Sequence, residues 1–179
     1  MNVRTALLLV VALAACGPQG TTQLPSVGAT NAIEVASPAF ADAGRIPSTY
    51  TCEGQDVSPP LTWTGGPPSV EFALFLTDLD APGGGFTHWI VFGIPGSTTD
   101  IAAGALPQGA KEGTNDFGKV GYGGPCPPAG RPHRYRFTLY GLRTARADQL
   151  ESGAKLSEVL ATIRCCIQSE GTITAMYGR

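Results

Sequence analysis

The chain has 179 residues, with 12 Lys and Arg against 14 Asp and Glu and a formal net charge of −2. Its 42% hydrophobic content is enough for a core and excludes wholesale disorder, while the near balance of charge excludes a nucleic-acid binder that works by neutralising phosphates. The 24 Gly and 15 Pro are nearly twice the roughly 12% share of an average soluble protein, which argues against an all-helical fold.

Residues 1–15 read as a lipoprotein signal peptide. Arg4 precedes an apolar run over 6–15, too short to cross a bilayer as a helix, which takes about 20 residues. The run ends in Leu13-Ala14-Ala15-Cys16, which resembles the lipobox of bacterial lipoproteins, where the cysteine is acylated and becomes the first mature residue. An ordinary cleaved signal with an incidental cysteine is the alternative. Residues 16–33 carry no charge and almost no large apolar side chain, the composition of a flexible tether from a lipidated Cys16. The expectation is an exported protein anchored to a membrane of the bacterial cell envelope, facing the periplasm or the cell surface.

Export leaves Cys52, Cys126, Cys165 and Cys166 in an oxidising compartment, where three pairings are open. A bridge between adjacent Cys165 and Cys166 would be strained. Cys52 and Cys126 both lie in Gly/Pro-rich loops that can adapt to disulfide geometry, so a Cys52–Cys126 bridge is expected and the state of the other two stays open.

The remaining chain reads mostly as strands. Residues 34–40 begin an extended segment, and 61–64 form a short strand ended by two glycines and two prolines. Residues 71–77 are apolar on both parities, as in a strand covered on both faces, and 88–94 are nearly so. In 133–142 the pattern alternates, with Tyr135, Phe137 and Leu139 on one face and Arg134, Arg136 and Thr138 on the other. Thr144 is placed to cap a short helix through Leu150, and Leu156, Val159, Leu160 and Ile163 recur at helical spacing. Residues 171–177 are extended again. The pattern predicts a mainly β protein: one β-sandwich-like domain over residues 34–179 with short C-terminal helices.

Both histidines of the chain occupy strand starts: His88 opens an apolar run, and His133 shares the parity of Tyr135 and Phe137. Asp78 and Asp80 close the strand over 71–77. If those ends are neighbours in one sheet, four polar side chains line one rim, with the Gly/Pro-rich loop over 118–132 beside it. Taken singly, each feature has an ordinary structural explanation, such as a turn-forming aspartate or a half-exposed histidine.

Together the motifs are recognisable. The runs 77–82 (TDLDAP), 87–91 (THWIV) and 121–128 (GYGGPCPP) leading to His133-Arg134-Tyr135, with Tyr50-Thr51-Cys52-Glu53-Gly54 upstream, resemble the phosphatidylethanolamine-binding protein family and its bacterial Raf kinase inhibitor-like branch. The resemblance covers about residues 34–179. It implies a sandwich of two antiparallel sheets and a small pocket for a phosphate-like anion, formed by Asp78, Asp80, Pro82, His88 and His133 with Tyr122, Gly123, Gly124 and Pro125 beside it. Gly93 and the 163–167 stretch (IRCCI) depart from the branch pattern.

The expected chemistry follows from charge. An aspartate beside a histidine favours imidazolium, whose N–H groups together with loop N–H groups would hold an anion, while Asp80 would meet an ammonium on a headgroup such as ethanolamine. No cofactor, metal or catalytic residue is expected. The alternatives are a protein-interaction or inhibitor module with an unknown protein partner, a two-His, two-carboxylate metal site, and a hydrolase using Cys126 or Ser58 as nucleophile.

Overall fold

The computed structural model describes residues 23–27 and 32–179; the signal peptide and Cys16 lie outside the described residues. Among the described residues, eight strands form two antiparallel sheets. The small sheet has the order β1-β2-β5, from Ile33–Ala36, Leu61–Gly65 and Asp100–Ile101. The large sheet has the order β6-β4-β3-β7-β8, from Lys111–Glu112, Phe86–Pro95, Glu71–Asp78, His133–Leu142 and Ile167–Tyr177. One helix, α1 (Leu156–Ile163), covers the far face of the large sheet.

The pattern of apolar residues explains these layers. Leu74 and Leu76 of β3 face the small sheet and pack with Trp63, Trp89 and Phe137, whereas Ala73 and Phe75 pack under α1 with Val159 and Ile163. A central strand buried on both faces has no polar parity, as the sequence of β3 shows. β7 is more complex than a half-buried strand. Arg134 and Arg136 are exposed, but Thr138, Tyr140 and Leu142 are buried, the last two beneath the helical layer. The outward face of β7 is therefore solvated only in its first half.

Several boundaries differ from the expected ones. No α-helix starts at Thr144; only a 3-10 turn, Ala147–Gln149, forms there. Cys165 and Cys166 lie in a second 3-10 turn, Arg164–Cys166, that leads directly into β8. The helix over 156–163 forms as predicted, its start closed by the Glu158 carboxylate accepting the Lys155 N–H at 2.7 Å. The two-residue strands β5 and β6 carry no periodic signal in so short a run.

Part of the segment read as a tether lies against the domain. The Val27 N–H donates to Glu170 Oε2 at 2.9 Å, the Tyr140 hydroxyl donates to the Pro25 carbonyl, and Leu24 packs on the helical side. Gln23–Val27 is thus held to the sheet, not free in solvent. Among the described residues no helix is long and apolar enough to cross a membrane.

Gly93 has a local explanation. It sits in β4 at φ +73°, where the β3–β4 register shifts between Phe72 and Leu74, and a Cβ there would lie 2.7 Å from that of Ala147. A side chain at that backbone would be strained and would press on Ala147, which favours glycine at this bulge.

Candidate functional site

The pairing of β3 with β7 sets Asp78 opposite Tyr135. His133, two residues before Tyr135, shares its face of β7. Its Nδ1 lies 2.7 Å from Asp78 Oδ2, while Asp78 Oδ1 accepts the backbone N–H of Asp80 at 2.9 Å. Asp78 is therefore buried with both oxygens engaged.

His88 reaches the same place through an irregularity. In a regular strand it would point away from the face used by Trp89. Here Leu76 pairs with Trp89 but Thr77 with Thr87, leaving His88 as an extra residue that bulges from the ladder. The bulge turns its ring to Tyr135, 5.3 Å away between centroids, and the rings of Phe86 and Phe117 flank it at 5.1 and 5.2 Å. Nδ1 is 2.7 Å from the Gly123 carbonyl, and the Gly123 N–H donates back to the His88 carbonyl at 3.0 Å.

These contacts fix both tautomers. The Gly123 carbonyl and the Asp78 carboxylate are acceptors, so each histidine carries a proton on Nδ1. Among the described residues neither Nε2 makes a hydrogen bond, and the buried Tyr135 hydroxyl has none of ordinary geometry. Burial lowers the pKa of His88, opposed by its Gly123 hydrogen bond and the charge of Asp78. Burial, then the Asp78 charge, pushes Tyr135 up and keeps its hydroxyl protonated.

Asp80 is used differently from the expectation. Its Oδ2 accepts the Arg134 backbone N–H at 2.8 Å and Nε–H at 3.0 Å, Oδ1 accepts Nη2–H at 2.8 Å, and Arg131 adds a contact at 3.3 Å. Hydrogen bonding from Arg134 holds its carboxyl far below the usual carboxylate range, despite burial acting the other way. The carboxylate is already committed to two guanidinium groups, so it is not placed to meet a ligand ammonium. Pro82 is exposed in the following turn.

The glycine loop is a support and not the anion cradle expected. The N–H of Gly123 is taken by His88, and that of Gly124 by Asp56 Oδ1 at 2.7 Å. A Cβ on Gly124 would lie 2.5 Å from Asp56 Oδ1 and 2.8 Å from Thr51 Cα, so the loop is pressed against 50–56. The Tyr122 hydroxyl donates to the Tyr50 carbonyl at 2.7 Å, and Pro125 accepts the Cys52 N–H at 3.2 Å. The Cys52–Cys126 disulfide, at 2.06 Å between sulfurs, ties the same two segments. Asp56, Phe86, Phe117 and Tyr135 went unnoticed as site residues in the sequence. An aspartate or a phenylalanine in a turn (Asp56, Phe117), and aromatics within strands (Phe86, Tyr135), carry no signal beyond turn and core.

A groove of about 930 Å³ lies on the helical side, lined by Thr77, Thr87, Arg136, Thr138 and Lys155. It contains neither histidine, so the site is defined by converging side chains and not by volume. Among the described residues no group of three or more His, Cys, Asp or Glu is placed to hold a metal ion. Cys126 is bridged, and Ser58 is buried.

Residues 36–178 match the model of the phosphatidylethanolamine-binding protein family. The chain belongs to that family. A UPF0098 protein of Methanothermobacter thermautotrophicus is 45% identical over 147 residues, covering 79% of this chain and 95% of the relative. LppC of Mycobacterium tuberculosis, named as a candidate lipoprotein, is 43% identical over 164 residues, covering 83% and 81%. Among solved structures, Escherichia coli YbcL superposes with a TM-score of 0.77 at 33% identity, covering 82% of this chain and 98% of YbcL. The Chlamydia trachomatis family homologue CT736 gives 0.77 at 31%, covering 84% and 99%. A carboxypeptidase Y inhibitor, at 18% identity and a TM-score of 0.56, shares the fold alone.

Proposed function

We propose that this family member is an exported, lipid-anchored binding protein whose pocket takes a phosphate-like anion or a phospholipid headgroup. The observation that carries the reading is the convergence of His88, His133 and Asp78, with both Nδ1 atoms committed and both Nε2 atoms left for a ligand. Neutral His88 accepts a hydrogen bond from a protonated phosphate oxygen; once protonated, it donates to an ionised one. His133, its ring held by Asp78, presents Nε2 to the same place, and the Tyr135 hydroxyl is a further donor. No residue of the site is assigned a catalytic role.

The reading is tested by calorimetric titration with inorganic phosphate and with phosphoethanolamine. His88→Ala and His133→Ala each weaken binding roughly tenfold or more, as expected for loss of a charge-assisted hydrogen bond. Affinity falls as pH rises from about 5 to 8, since protonated His88 is the better anion partner. Binding that is indifferent to both substitutions and to pH overturns it. The likeness to LppC supports the anchor, and an acyl mass on Cys16 in protein recovered from membranes is the corresponding check.

A further inference from the structure

A second cluster of reactive side chains lies away from the histidines, where β7 turns toward α1. Cys165 and Cys166 are free, Cys165 exposed and Cys166 buried. They sit in the 3-10 turn Arg164–Cys166. The Arg146 Nε–H donates to Cys166 Sγ at 3.2 Å, and the charge of the same guanidinium reaches both sulfurs. Arg143 fixes the turn from outside: its backbone N–H donates to the Cys166 carbonyl at 3.0 Å and its Nη2–H to the Cys165 carbonyl at 2.7 Å. Arg146 is fixed in turn by Glu71, whose Oε2 accepts the N–H groups of Arg146 and Ala147 at 3.1 and 3.2 Å. Two adjacent thiols and a guanidinium are thus held by a framework that owes nothing to the anion pocket.

We propose that Cys165 and Cys166 form a binding site for a monovalent soft metal ion, Cu(I), held between the two sulfurs with Arg146 as the compensating charge. Thiolate sulfur suits Cu(I), zinc and iron–sulfur clusters, and of these Cu(I) is the one that two such ligands satisfy. Zinc and other divalent ions take three or four protein donors, which this turn does not supply. Binding follows Cu⁺ + 2 RSH → [Cu(SR)₂]⁻ + 2 H⁺, so the filled site carries one negative charge. Arg146 and Arg143 lie where they stabilise that charge and would repel a divalent cation lacking other anionic ligands. The exposed thiol gives the ion a way in, and the buried one gives it a dry second contact.

The test is a competition titration of the full chain with Cu(I) against a chromophoric chelator, in anaerobic buffer with ascorbate. The chain carries Cys16→Ser, so that after a thiol count of two the only free sulfurs are the pair. One equivalent of Cu(I) is withheld from the chelator, and X-ray absorption shows sulfur ligands alone. Cys165→Ser or Cys166→Ser weakens binding on the order of 100-fold, and Arg146→Gln weakens it roughly 10-fold while leaving the stoichiometry at one. Because Cys165 is exposed, its serine variant keeps the fold and decides the matter even if the buried site tolerates no change. Three results overturn the proposal: a pair that yields no free thiols under mild reduction, copper left wholly with the chelator, or binding that survives Cys165→Ser.

Discussion

His133 Nδ1 and Asp78 Oδ2 stand 2.7 Å apart, so the first residue of β7 and the last of β3 are joined by a hydrogen bond across the mouth of the sandwich. Asp78→Ala leaves the half-buried His133 Nδ1–H and the Asp80 N–H without their acceptor, and costs about 1–3 kcal/mol of stability. The same variant loses phosphate affinity because nothing then orients the His133 ring. Urea unfolding and calorimetry measure the two effects separately.

His88 makes stability depend on pH. Burial lowers its folded pKa below the ordinary value of 6.5, so between the two values the unfolded chain binds more protons. The contribution is complete above about 6.5 and is lost as pH falls toward the folded value. Unfolding followed from pH 7.5 to 5 shows declining stability, with a shallower decline in His88→Gln. Saturating phosphate, which favours protonated His88, opposes the decline.

The Asp80–Arg134 pair predicts the opposite pattern from Asp78. It lies at the rim, with the Arg134 side chain 53% exposed and the carboxylate already satisfied. Arg134→Met therefore changes stability by less than about 1 kcal/mol, and less still at high salt. Phosphate affinity in Asp80→Asn stays within a factor of about two of the parent, since the Asp80 carboxylate is already paired with Arg134 and Arg131. A tenfold loss would return Asp80 to the pocket.

The Cys52–Cys126 bridge spans 74 residues of sequence and holds the glycine loop against 50–56. Replacing both cysteines by serine removes about 2–4 kcal/mol, mostly through the freedom returned to the unfolded chain. The Gly123 carbonyl orients His88, so anion binding weakens along with stability. Paired unfolding and titration of the double variant check both.

The sequence carried the sheets well and the site unevenly. Doubly apolar β3, alternating β7 and the stripe of α1 each had a period that names its element, and the paired strand ends brought Asp78, His88 and His133 together as expected. Asp80 was misplaced because a carboxylate in D-x-D shows nothing of the guanidinium that will claim it 54 residues later. The glycine loop was misread for a similar reason. Its N–H groups are spent on His88 and Asp56, partners fixed only by tertiary contact. The bulge at His88 was invisible because periodicity assigns a facing only to residues that stay in register.

The two irregularities of β4 have a joint consequence. Phe86–Pro95 spends ten residues against the eight of Glu71–Asp78, a surplus of roughly 7 Å of extended chain that must be taken up as curvature. Two insertions restore parity, so the ends of β4 face as they would in an uninterrupted strand, while the stretch between them is offset by one. Shortening the gene by the codon for His88 alone would exchange the inward and outward sides of Phe86 and Thr87. Residue 88 is thus an architectural spacer through its backbone as well as the bearer of an imidazole, and no point substitution at that position reproduces its removal.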